Sequence, residues 1–124
     1  MITLSFPEPA ERLNANRKMH WTKKAELVRA WRQAACVHAK NAKIRDLGPS
    51  IITLHFHTSQ NRRRDPGNWY PTVKATVDGL TDAKLWPDDN SDWVLTTESI
   101  FHYVGKDSPL LGTVIVEITP WEGP

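Results

Sequence analysis

The sequence predicts a single α+β domain in which two main helices pack on a mixed β-sheet, in the order β-α-β-α-β-β. Three observations predict it. Short segments near both ends and in the middle alternate apolar and polar residues, two longer segments repeat apolar residues at helical spacing, and Gly, Pro, Asn and Asp fall between them. A length of 124 residues suits one hydrophobic core and is too short for two, so the domain is placed over 1–119, with 120–124 (PWEGP) as a loose C-terminal tail.

The opening MITLSF sets Ile2, Leu4 and Phe6 on one face, and Pro7 and Pro9 stop the strand. A polar, basic loop follows at 14–20. From Trp21 onward, Ala25, Leu27, Val28, Trp31, Ala35 and Val37 recur at roughly helical spacing, with Thr22 as the expected cap and Gly48-Pro49 as the stop. IITLHFHT at 51–58 alternates again. After the loop RRRDPG, Trp69, Val73, Val77 and Leu80 form one stripe of a second helix that Pro71 can begin. Turn residues fill DAKLWPDDNSD, and closing strands are expected at about 93–104 and 111–119.

A hydrophobic share of 40% with 24% charged residues argues against global disorder. No apolar run is long enough to span a bilayer, and Met1 is followed by a strand-like segment rather than a leader, so a cytoplasmic location is expected. The single cysteine, Cys36, is expected to be buried in the first helix and argues against a Cys-based zinc site. The net charge of +2 identifies no partner, but bases crowd the first third while Asp78, Asp82, Asp88, Asp89 and Asp92 cluster later. A protein that binds a polyanion and holds a cation at an acidic site would show this separation, as would a solvated basic helix.

The run RRRD at 62–65 poses the chemical question, because Asp65 weakens the positive field that the arginines build. Asp65 precedes the second helix, Lys74 and Asp78 lie four residues apart on it, and a loop that folds back would bring Asp89 to them. Carboxylates beside a lysine suit Mg²⁺, which takes hard oxygen ligands and is commonly held by one or two carboxylates plus substrate phosphate. Arg62, Arg63 and Arg64 would then grip a phosphate backbone while Asp65, through the metal, directs cleavage of the phosphodiester. Arg17 and Lys18, in the basic loop, are further candidates for phosphate contacts that position rather than specify.

RRRD at 62–65, Asn68, KATVDGL at 74–80 and LWPDD at 85–89 resemble, in order and approximate spacing, the RusA-type Holliday junction endonucleases of bacteriophages and prophages. The resemblance covers the middle third of the chain best. It implies a small α+β homodimer that binds four-way DNA junctions and nicks two opposed strands with Mg²⁺, for which Mn²⁺ can substitute, in recombination or repair. By position it makes Asp65 and Asp89 metal-binding catalytic acids and Lys74 the catalytic lysine. The sequence departs from the family where a second acid is expected two residues after the first, since Gly67 stands there, and the segment from Asn68 to Lys74 is about three residues longer. Asp78 is the favoured replacement metal ligand, with Asp88 as the alternative.

Each of these residues also has a purely structural role open to it. Asp65 can cap its turn, Asp88-Asp89 can be turn chemistry, and Lys74–Asp78 can be an ordinary helix pair. His55 and His57 share a strand face, but no third nitrogen or sulfur ligand lies near them in sequence, so they read as partly exposed strand residues. Among the six tryptophans, Trp31, Trp69 and Trp86 read as core or dimer interface, and Trp121 as the candidate for stacking on unpaired bases. The alternatives to a junction endonuclease are a non-catalytic branched-DNA binding protein that lost its metal cage at Gly67 and, third, an RNA-directed nuclease.

Overall fold

Leu4 and Phe6 form the buried side of β1 (Ile2–Pro7), and the same alternation shapes β2 (Ser50–Thr58) and β4 (Thr113–Pro120). A computed structural model describes residues 1–61, 64 and 66–121. With β3 (Val94–Tyr103) these strands make one mixed sheet, ordered β1-β4-β2-β3. β4 runs antiparallel to both β1 and β2, while β2 and β3 are parallel. Register aligns the inward side chains in rows, Leu4 with Val116 and Leu54, and Phe6 with Val114 and Phe56.

A parallel pair needs a crossover, and α2 (Tyr70–Asp82) supplies it between β2 and β3. The helix follows a 3₁₀ turn, Pro66–Trp69, with Pro71 in its first turn, where a missing N–H costs nothing. Val73, Val77 and Leu80 are buried as the spacing predicts. Thr72 is buried too, and its hydroxyl both accepts from Leu13 N (2.8 Å) and donates to Leu13 O (2.9 Å), fastening the preceding loop to the helix.

The first helix, α1 (Trp21–Asn41), differs from expectation in its core face, its cap and its end. Its buried residues are Leu27, Trp31, Ala35 and Ala39, a single four-residue ridge. Ala25 and Val37 are exposed, and Val28 and Cys36 are only partly buried. The ridge is narrow because α2 approaches closely: a Cβ added at Gly79 would lie 2.1 Å from Arg32 O and 2.9 Å from Ala35 Cβ. The cap is His20 rather than Thr22, its ring accepting from Thr22 N at 3.2 Å. The helix ends at Asn41, well before Gly48, because Lys43 and Asp46 turn the chain through positive φ (59° and 56°).

Trp31 and Trp86 are the largest fully buried side chains, and their indole N–H groups donate to Glu11 O and Gly48 O, each at 3.0 Å. Such pairing removes the penalty of burying the polar edge of the ring. β4 continues through Pro120, one residue beyond the expected strand, and Trp121 N donates to Pro49 O at 2.8 Å. Residues 122–124 of the expected tail lie outside the described residues. Among the described residues, no helix is long and apolar enough to cross a membrane.

Candidate active site

Lys74 and Asp78 stand one turn apart on α2, and Lys74 Nζ donates to Asp78 Oδ1 at 2.7 Å. The same ammonium bonds Asp89 Oδ2 from the loop that leaves the helix. That loop returns because its middle is anchored. Leu85 and Trp86 are buried, Asp46 N and Leu47 N donate to Lys84 O (2.9 Å) and Leu85 O (2.7 Å), and Lys84 takes φ 69°. Beyond Asp89, Asn90 O accepts from Trp93 N and Val94 N at 3.0 and 2.9 Å and fixes the entry to β3.

Asp88 organises its own turn, its Oδ1 accepting from Asp89 N at 2.7 Å. Asp78 is therefore the acid that accompanies Asp89 at Lys74, while Asp88 is held in a local bond. The side chains of Asp78 and Asp89 are 22% and 26% exposed, open enough to meet a ligand. Burial, and then Asp89, raise the pKa of Asp78. The neighbouring Asp78 carboxyl, and then the Lys74 ammonium that donates to it, hold Asp89 well below the ordinary carboxylate range. Bonds to Asp78 and Asp89 raise Lys74 far above its ordinary value, so it stays charged.

A cavity of about 300 Å³ opens beside this cluster, between α2 and β3, with Tyr70, Lys74, Asp89, Leu95 and Thr97 in its walls. On the other flank, Arg32 Nε and Nη2 grip Asp82 at 2.6 and 2.9 Å, a planar fork that sequence spacing did not signal because the partners are on different helices. Its hydrogen bond to Asp82 raises the Arg32 pKa, and the charges of Asp78 and Asp89 add to the effect.

Arg62, Arg63 and Asp65 lie outside the described residues. The guanidinium of Arg64 sits 4.7 Å from the Phe101 ring centre, and its Nη1 donates to Gln60 O at 3.1 Å. The basic loop meets the start of α2, since Ala15 N donates to Asn68 O at 2.7 Å. There Arg17 pairs with Glu11, and Lys18 is exposed. Gly67 is exposed and a Cβ would meet nothing within 4 Å, so no steric demand requires glycine.

On the helix-free sheet face, the histidine that joins His55 and His57, not evident near them in sequence, is His102. His55 Nδ1 lies 2.8 Å from His102 Nε2, His55 Nε2 lies 2.7 Å from Glu117 Oε1, and the His57 ring stacks on His102 at 5.1 Å. The signal was the parallel register, which sets His57 opposite His102 and cannot be read from one strand. Contrary to expectation, His57 is buried.

Among the described residues, no group of three or more His, Cys, Asp or Glu side chains is arranged to hold a metal ion. Asp78 and Asp89 supply two, and the lysine bridge engages one oxygen of each. Their hard-oxygen chemistry suits Mg²⁺ with substrate phosphate completing the shell. No protein-family model matches the chain, and no curated protein matches it.

Proposed function

We propose that the protein is a Mg²⁺-dependent endonuclease acting on branched DNA, the RusA-type activity implied by its sequence resemblance, and that it works as a homodimer. The observation that supports this most is the return of Asp89 to Lys74 and Asp78 on α2, beside the cavity between that helix and β3. Asp78 and Asp89, with Asp65 as the third acid, would hold the ion. When bound, Mg²⁺ polarises a phosphoryl oxygen and lowers the pKa of a coordinated water. Asp78 occupies the role left open by Gly67.

Lys74 orients both carboxylates while the substrate is absent, and its permanent charge balances the charge that develops on the phosphate during cleavage. Arg62 and Arg63, with Arg17 and Lys18 on the loop beside α2, supply phosphate contacts that position the strand. Two opposed cuts need two equivalent sites, which a two-fold dimer provides at fixed separation.

Asp89→Asn should reduce nicking of a four-way junction by at least about 100-fold while junction affinity stays within about threefold. If Asp89→Asn weakens binding as much as removal of Arg63 and Arg64, the catalytic assignment is wrong. The competing non-catalytic reading, favoured by Gly67, predicts junction binding by the unaltered protein with no nicks to lose.

A further inference from the structure

Outside the buried ridge of α1, Trp21, Ala25 and Val28 form a second stripe along the helix. Trp21, Lys24, Ala25, Val28, Arg29 and Arg32 fall at i, i+3, i+4, i+7, i+8 and i+11, and together line an open groove of about 480 Å³. Trp21 is 73% exposed, against 46% for Trp121, and among the described residues no other Trp, Tyr or Phe is as exposed. Val28 packs against the core and gives the groove a fixed floor.

We propose that this groove binds an unpaired DNA strand, with Trp21 stacking on a base and Lys24 and Arg29 taking the flanking phosphates. The proposal rests on the endonuclease reading for the identity of the strand, and it moves the base platform from Trp121 to Trp21.

Charge complementarity selects the occupant. Among the described residues, the groove wall contains three cations and no acid, and of these Arg32 is engaged in its fork with Asp82. An apolar peptide helix would have to bury Lys24 and Arg29 without supplying partners, whereas a nucleic-acid strand brings an anion for each and a π-face for the indole. The position also fits. Arg32 closes the groove at the end where α1 meets Asp82 of α2, one turn beyond Asp78, so a strand leaving the carboxylates passes Arg32 and then reaches Trp21. At its N-terminal end, the His20 ring lies 5.6 Å from that of Trp21 and extends the aromatic surface. An unpaired strand exposes its base faces for stacking; a continuous duplex keeps them covered.

The test is fluorescence anisotropy of the full-length protein with a labelled oligothymidylate and with a blunt hairpin duplex of equal charge. Trp21→Ala should weaken oligothymidylate binding about tenfold and hairpin binding less than twofold, and Trp21→Phe should restore most of the loss. The double variant Lys24→Gln, Arg29→Gln should flatten the salt dependence of oligothymidylate binding by one to two phosphate contacts, a slope change of about 0.7 for each. Unchanged oligothymidylate binding by Trp21→Ala overturns the proposal, as does equal weakening on both ligands. So does a Trp21→Ala protein that loses its dimer in size-exclusion chromatography while binding oligothymidylate normally, which would assign the groove to a second copy of the chain. Junction nicking distinguishes the two readings: if the unaltered protein never nicks with Mg²⁺, the endonuclease fails, and the oligothymidylate and hairpin results still decide the groove.

Discussion

Lys74 bridges carboxylates from two parts of the chain, so replacing it leaves Asp78 and Asp89 facing each other without the cation that joins them. Lys74→Met should abolish junction nicking, at least about 100-fold, and shift the melting temperature little, because partly exposed ion pairs contribute little stability. Gly67→Asp tests compensation directly. The open surroundings of Gly67 accept the side chain, so the variant should fold normally and reach half-maximal nicking at lower Mg²⁺ than the unaltered protein. A higher Mg²⁺ requirement would contradict the assignment of Asp78. His102 makes a separate prediction about stability. Burial, and then the charges of His55 and His57, hold its pKa below the ordinary value, with Glu117 and Glu98 the acids on the same sheet face. The unfolded chain therefore binds the proton first as pH falls, so this contribution to stability is complete above about pH 6.5 and is lost as pH drops through the folded value. Melting temperatures measured between about pH 7.5 and 5 should decline less steeply for His102→Gln.

The two helices meet at Gly79, where a methyl group would collide with the Arg32 carbonyl. Gly79→Ala should destabilise the fold by about 2 kcal/mol in denaturant unfolding, overpacking exceeding the better helix propensity of alanine. Thr72→Val should cost about 1–3 kcal/mol by leaving both Leu13 backbone groups buried without a partner, and it would release the basic loop from α2. The strands and the α2 stripe were legible because alternation and the spacing of Val73, Val77 and Leu80 are local properties. The core face of α1 was less so. Ala25, Val28 and Val37 look equivalent to Leu27 and Ala35 in periodicity, and only the neighbouring helix decides which stripe it covers. The His20 cap was obscured because histidine is an uncommon N-cap and Thr22 is a common one.

At the scale of the molecule, the helices occupy one sheet face and leave the other to the histidine cluster, while the candidate site lies along α2 beside the edge strand β3. The α+β class and the pairing of Lys74 with Asp78 were readable from spacing. The arrival of Asp89 was readable only as a condition. It depends on burial of Leu85 and Trp86 and on bonds from Asp46 and Leu47, far earlier in the chain, to a loop with no periodicity of its own. The insertion of β4 between β1 and β2 was not readable, because strand order depends on long-range pairing. The central claim is junction-selective cleavage, and the most direct measurement is incubation of an end-labelled four-way junction and a matched linear duplex with the protein, in Mg²⁺ and in EDTA. Paired nicks in opposed strands of the junction alone, lost in EDTA, are the predicted result; tight junction binding with no nicks in any divalent ion would contradict it.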